Sequence, residues 1–479
     1  MNGPITDRRG QRMLLIAAAL AMFMDGLDGS IVNVALPIIS ETFGGDAGSV
    51  SWVITIYLLM MAGLILIFGK ISDSGAIKKV FIVGFLIFSL SSLACGLSAG
   101  LEMLLISRAA QGVGAAMLAA SALMLCVKFY PSGRLGFALS VVMLGMTVGA
   151  AIGPAFGGFL VELLSWHWIF LINVPIGLVA IGFALKAIPA DEGIKGASFD
   201  IKGSVFLFGI LASGLYLVES VPSAGIGGLT VPVALVFVLC LALFLITYRR
   251  TAAPVLNLKL FRFRGFVAAL ISYMLINACF MGALYLVPFY LVRGMGFDSI
   301  TSGLFLLIPS LVILPLSAKA GRLSDRTERR AFVVAACAMM LVFMLIYSMI
   351  EPGMGYLPLI AALAAMGMMW ALGGGAASSR IVESVPKSEN GSASSLMSFM
   401  MYFGSALGTV IFTALFEVGS GVGSVDISKM PLGPFLDGFH FAMMAGVALS
   451  LTALALAASF NEKKRSPRPS GSTPVSEPE

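Results

Sequence analysis

FMDGLDGSIVNVALP, Phe23 to Pro37, lies within an apolar run that begins at Met13 and places two aspartates, Asp25 and Asp28, three residues apart. The rest of the chain decides what solvent surrounds this run. Of 479 residues, 59% are hydrophobic and 11% charged, and the mean hydropathy is +1.00; a soluble domain carries about 25% charged residues. No polar stretch of domain size appears anywhere, so the composition points to a bilayer.

A membrane-crossing helix needs about 20 mainly apolar residues. Fourteen such runs follow one another, near 13–37, 50–69, 80–99, 103–127, 136–163, 167–188, 202–220, 229–248, 265–291, 300–318, 331–350, 355–378, 391–416 and 439–460. The fold class expected is therefore an all-α integral membrane protein. An even number of spans puts both termini on one side, and of the 30 lysines and arginines all but Arg108, Arg293 and Lys429 then fall on that side. By the positive-inside rule both termini face the cytoplasm of a multi-pass protein in the cell membrane.

The triplet Ala19-Leu20-Ala21 imitates a signal-peptide cleavage site, but the apolar run continues to Leu36 and the alternation of loops needs this span. It is read as a retained first helix. The basic residues, scattered among short loops, do not form a nucleic-acid surface. The five cysteines stand singly in apolar runs, without metal-ligand spacing. No phosphate-binding loop and no catalytic Ser/His/Asp pattern stands out, so neither a cofactor nor an enzymatic reaction is expected.

An internal repeat organises the spans. GKISDSGAIKK, 69–79, follows the second span and GRLSDRTERR, 321–330, follows the tenth; both read Gly, basic, aliphatic, Ser, Asp, then a basic pair. Spans 1–6 and 9–14 become equivalent six-helix bundles, with spans 7 and 8 inserted. The expected organisation is a cytoplasmic N-terminus (1–12), a first bundle (13–188), linkers with the inserted helices (189–264), a second bundle (265–460) and a disordered cytoplasmic tail (461–479). Paired bundles suggest a cavity open to one side at a time.

LDGSIVNVALP (27–37), GKISDSGAIKK (69–79), RAAQGVGAA (108–116), GAAIGPAFGG (149–158) and SWHWIFLINVPIG (165–177), in this order and on these helices, resemble the signature segments of the major facilitator superfamily. The closer resemblance is to its fourteen-span drug/proton antiporter branch. It implies a coupling acid at Asp28 and a membrane-embedded arginine for proton transfer at Arg108. It also implies an antiporter motif at Gly149, Gly153, Pro154, Gly157 and Gly158. Conformational-switch loops fall at Gly69, Asp73 and Lys78, repeated at Gly321, Asp325 and Arg326. The first loop departs from the pattern at Ser74, Ala76 and Ile77, and His167 stands where a basic residue usually separates two tryptophans. Asp25 is an acid outside the motif.

Charge inside a bilayer costs about 2.5–3.5 kcal/mol per residue on insertion scales and marks ion or substrate paths. Asp25, Asp28 and Arg108 are the three clear cases. Three residues turn a helix through roughly 300°, so the two carboxylates sit about 60° apart, one turn from each other, and could share a cavity as a coupled titrating pair. Asn33, Gln111, Asn277 and Tyr285 are candidates to line it, while the second bundle shows no comparable acid.

The function expected is proton-coupled export, by alternating access, of lipophilic small molecules such as drugs, cationic compounds included. Its partners are the substrate, protons and membrane lipids, with no nucleic acid, and the chain acts as a monomer. Alternatives are a dedicated metabolite exporter, a proton-coupled uptake transporter or, from another class, a membrane receptor or integral-membrane enzyme.

Overall fold

The computed structural model describes residues 5, 7–131, 134–191, 200–224, 228–251, 254–256, 258–326, 329–386, 389–422 and 425–459. The expected tail, 461–479, and most of the first linker lie outside the described residues. Among the described residues, fourteen helices are long and apolar enough to cross a membrane. They are α1 (Arg8–Phe43), α2 (Ala47–Ile71), α3 (Ile77–Gly96), α4 (Leu101–Phe129), α5 (Leu135–Leu163), α6 (Trp168–Ala187) and α7 (Ile201–Ala224). These are followed by α8 (Thr230–Arg250), α9 (Arg264–Gly294), α10 (Ser299–Arg326), α11 (Arg329–Tyr347), α12 (Leu357–Glu383), α13 (Asn390–Ser420) and α14 (Leu432–Ser459).

Several boundaries differ from the hydropathy reading, two of them for evident physical reasons. Helix α1 runs through Pro37 to Phe43 and closes on Gly44 in the left-handed region at φ 65°; neighbouring groups in a membrane bundle can satisfy what the proline ring frees. Helix α14 starts at Leu432 because Pro434 falls in its first turn, where a missing N–H costs nothing.

Helix pairing repeats. In the first bundle α1 packs on α5 and α6, α2 on α4, and α3 on α4 and α6; in the second, α9 packs on α13 and α14, α10 on α12, and α11 on α12 and α14. Between the bundles α2 meets α13 and α5 meets α10, again as an equivalent pair.

Glycines set the closest approaches, because without driving force from water membrane helices associate through close packing. A Cβ on Gly149 would lie 2.2 Å from the Phe23 carbonyl oxygen, and one on Gly153 1.9 Å from Ser30 Oγ, so α1 lies in a groove of α5. The second bundle repeats the groove: Gly404 and Gly408 of α13 face Met274 and Ala278 of α9, a Cβ meeting their carbonyl oxygens at 2.6 and 2.0 Å. The same displacement along the chain relates Gly149 to Gly404, Gly153 to Gly408, and Gly112 of α4 to Gly367 of α12.

The inserted helices pair with each other, and α7 lies against both α2 and α13, across one of the two seams between bundles. Asp200 anchors them: it accepts from Gly203 N (2.9 Å) at the start of α7 and from Val255 N (3.1 Å) in the linker after α8.

Candidate functional site

Asp28, with no exposed surface, sits where four helices of the first bundle meet α1. Arg108 of α4 reaches its Oδ2 from Nη1 at 2.6 Å. Gln111 Nε2, one turn along α4, donates to Asp28 Oδ1 at 2.8 Å, and Asn173 Nδ2 of α6 donates to the same oxygen at 3.3 Å. The network continues outward: Arg108 donates to Gln111 Oε1 (2.6 Å) and Val53 O (2.8 Å), and Gln111 Nε2 to Ser92 Oγ of α3 (2.8 Å). The Arg108 guanidinium also lies 4.3 Å from the centroid of the Tyr57 ring, a cation–π contact strengthened by dry surroundings.

Asp25 turns away from this network. Its Oδ1 accepts from the Tyr57 hydroxyl of α2 (3.2 Å) and its Oδ2 from the Tyr402 hydroxyl of α13 (3.4 Å). The 60° between the two acids is enough to split them, Asp28 into the interior of the first bundle and Asp25 toward the second. They share no partner, but Tyr57 joins them, its hydroxyl on Asp25 and its ring face on the arginine that holds Asp28.

The second bundle solves the same packing problem without charge. The displacement that carries Gly112 to Gly367 carries Arg108 to Leu363 and Gln111 to Met366, both buried. Gly112 packs on the Tyr57 backbone of α2 and Gly367 on the Pro309 backbone of α10, so the two positions are structurally equivalent. A buried ion pair is therefore not what this helix arrangement requires.

The family model described as Major Facilitator Superfamily matches residues 18–409. The chain belongs to the Major Facilitator Superfamily. Among superfamily relatives it is 31% identical over 427 residues to a protein of Escherichia fergusonii named as a multidrug resistance protein, MdtD, covering 87% of this chain and 89% of that one. It is 29% identical over 412 residues to the riboflavin transporter RibZ of Clostridioides difficile, with 84% and 88% covered. A crystal structure of a bacterial homologue of the human lysosomal transporter Spinster, inward-facing and unoccupied, shares the fold at a TM-score of 0.66 and 16% identity, over 95% of this chain and 97% of that one. Membership makes this a membrane transporter rather than an enzyme.

Helix α5, whose glycines were expected to form an antiporter motif, is two-faced. Gly149, Gly153 and Gly157 receive α1, whereas Gly158 faces the Ser299 carbonyl of α10, and the Pro154 carbonyl faces Gly303 of α10. This helix touches both the acid-bearing helix and the opposite bundle.

The loop after α2, expected to act as a conformational switch, forms a reciprocal clamp. Lys78 Nζ donates to Ile188 O (2.6 Å) at the end of α6, and the Asp191 carboxylate accepts from Lys78 N and Lys79 N (2.9 Å each) at the start of α3. Gly75 turns this corner at φ 113°, a conformation that suits glycine. Gly69 stands in open space. The side chains of Asp73, Asp325 and Arg326, and the surroundings of Gly321, lie outside the described residues.

The other cavity candidates are engaged elsewhere. Asn33 donates back to Gly29 O (3.0 Å) in its own helix, leaving its buried Oδ1 unpartnered. Asn277 does the same to Tyr273 O (2.7 Å). Gln111 serves the Asp28 network. Tyr285, fully buried, donates to Ala47 O (2.5 Å) and so ties α9 to the start of α2.

Sequence reading missed the carboxylates on the side opposite the termini. Glu417 of α13 is buried and accepts from Gly48 N (2.9 Å) at the start of α2; Glu162 of α5 accepts from Ser299 N (3.4 Å) at the start of α10. Glu162 and Glu417 are related by the same displacement as the groove glycines, so each bundle's fifth helix presents a carboxylate to the other's second helix. Glu219 of the inserted α7 joins one seam by accepting from Trp52 Nε1. The second bundle is thus not free of buried acids; Glu417 falls just past the apolar run read as the thirteenth span. Hydrogen bonds from Thr301 hold the neighbouring Asp298, the N-cap of α10, below the usual carboxylate range.

The His167 ring stacks on Trp166 at 3.8 Å, and partial burial pushes its pKa below the ordinary histidine value.

Proposed function

We propose that this transporter exports lipophilic small molecules, cationic ones included, in exchange for protons. The observation that carries the reading is the unequal treatment of two acids one helical turn apart. Asp28 has an arginine and two further donors, whereas Asp25 has two neutral hydroxyls, one from each bundle.

A buried carboxylate without a counter-charge costs several kcal/mol. Asp25 relieves that cost by taking a proton or by facing a cationic group on the substrate, so the two compete for one position. Tyr57 transmits the change to the Arg108–Asp28 pair and Tyr402 transmits it to α13. Proton and substrate thereby bias the same equilibrium between bundle arrangements, which is the thermodynamic requirement of exchange. Neutralising Asp25 weakens its bond to Tyr402, because hydrogen bonds to charged groups are the stronger ones.

The uneven distribution of lysine and arginine supports a cytoplasmic location of both termini in the cell membrane. The names of the MdtD relatives support a drug-like substrate. RibZ favours a second reading, a dedicated exporter or importer of a flat aromatic metabolite. A panel of lipophilic cations, neutral drugs and riboflavin, assayed in inverted vesicles under an imposed pH gradient, separates the readings. Proton-driven accumulation of several cations, lost in Asp28→Asn, supports multidrug exchange; accumulation of riboflavin alone replaces it with the second reading. Transport that ignores the gradient refutes both.

A further inference from the structure

The ends of α1 and α6 that lie on the side of the termini enclose a cavity of about 620 Å³, lined by Arg8, Arg9, Arg12, Met13, Val179, Gly182, Phe183 and Lys186. That volume lies within the roughly 300–1,000 Å³ of small-molecule sites. Four cations ring it, and among the described residues none of them makes an ion pair. The acids nearest in sequence are committed elsewhere: Asp7 accepts from Gly10 N at 2.6 Å as the cap of α1, and Asp191 from the backbone of α3. The floor is apolar, and Gly182 leaves it open, since a Cβ there would meet nothing within 4 Å. Val179 is 54% exposed, and its neighbours Leu178 and Leu185 continue the apolar surface outward along α6.

Concentrated positive charge at a helix end above an apolar slot is what an anionic lipid requires. A phosphate finds Arg and Lys donors at headgroup depth, and an acyl chain finds a groove that a soluble anion would leave empty. We propose that this cavity binds one anionic phospholipid, its phosphate held by Arg8, Arg9, Arg12 and Lys186 and the first part of an acyl chain lying over Gly182 between Val179 and Phe183. The lipid would bridge α1, which carries both acids, to α6, which supplies Asn173 to Asp28. The proposal rests on membrane residence and not on the coupling mechanism.

The test uses the full chain, stripped of lipid in neutral detergent, titrated with phosphatidylglycerol or phosphatidylcholine and read by native mass spectrometry. Wild type is expected to retain one phosphatidylglycerol in preference to phosphatidylcholine. Each cation removed lowers that affinity by about fivefold, so Arg9→Ala/Arg12→Ala/Lys186→Ala loses about a hundredfold. Gly182→Phe fills the slot without changing charge and is expected to lose the lipid as well, with unchanged thermal unfolding. Equal retention of both lipids, undiminished binding in the triple variant and in Gly182→Phe, or displacement by millimolar inorganic phosphate would overturn the proposal.

Discussion

Arg108 makes three hydrogen bonds and an aromatic contact within the first bundle, yet Leu363 occupies the equivalent position in the second. This contrast separates stability from function. Arg108→Leu strands Asp28 without its cation and is expected to cost about 3–5 kcal/mol, seen as an earlier thermal unfolding transition. Asp28→Leu/Arg108→Leu imitates the apolar arrangement and is expected to regain most of that stability while transport stays lost; a double variant that still transports would make the pair purely structural. Tyr402→Phe removes a bond to a carboxylate, of about 1.5–3 kcal/mol, and is expected to lower the thermal unfolding transition modestly and to reduce substrate-driven proton flux in vesicles by about tenfold or more. The Asp28–Arg108 partnership was legible through the motif resemblance. Tyr402 was not, because it lies 377 residues from Asp25 and a buried tyrosine in an apolar helix carries no signal of what its hydroxyl meets.

At the scale of helices, the α1–α5 groove has no room for side chains at its glycines. Gly153→Leu would drive a branched chain into Ser30 and is expected to destabilise by roughly 1–3 kcal/mol, or to prevent assembly. Gly153→Ala is the milder probe, and adding Ser30→Gly, which removes the oxygen 1.9 Å away, is expected to restore part of the loss in a detergent thermal-shift measurement. No rescue would mean that the groove is not what limits packing. Spans and their order were readable because hydropathy reports lipid directly. The matching glycines Gly404 and Gly408 escaped notice because small residues in apolar helices are common, and their contact appears only once α9 and α13 are side by side.

Across the whole molecule, the described residues tie the two bundles together at mid-helix, through Asp25 and Tyr402, and on the side opposite the termini, through Glu162, Glu417 and Tyr285. The bundles are thus joined on that side. Glu162→Gln/Glu417→Gln removes the charge from two bonds at equivalent positions, of which the shorter, buried one at Glu417 is weakened by about 1 kcal/mol, and is expected to favour the opened arrangement by roughly fivefold. Spin-label distances between α5 and α10 should lengthen; unchanged distances would show that the two carboxylates do not hold this side shut. The inserted α7 takes part through Glu219 and Trp52, a role invisible to span counting because it depends on where the pair docks. The central claim, that substrate and proton compete at Asp25, is tested most directly by proton release. An exported compound is added to weakly buffered, detergent-solubilised protein and the pH followed with a dye. Wild type should acidify the solution on binding and Asp25→Asn should release no protons; release from Asp25→Asn equal to that of wild type would contradict the account.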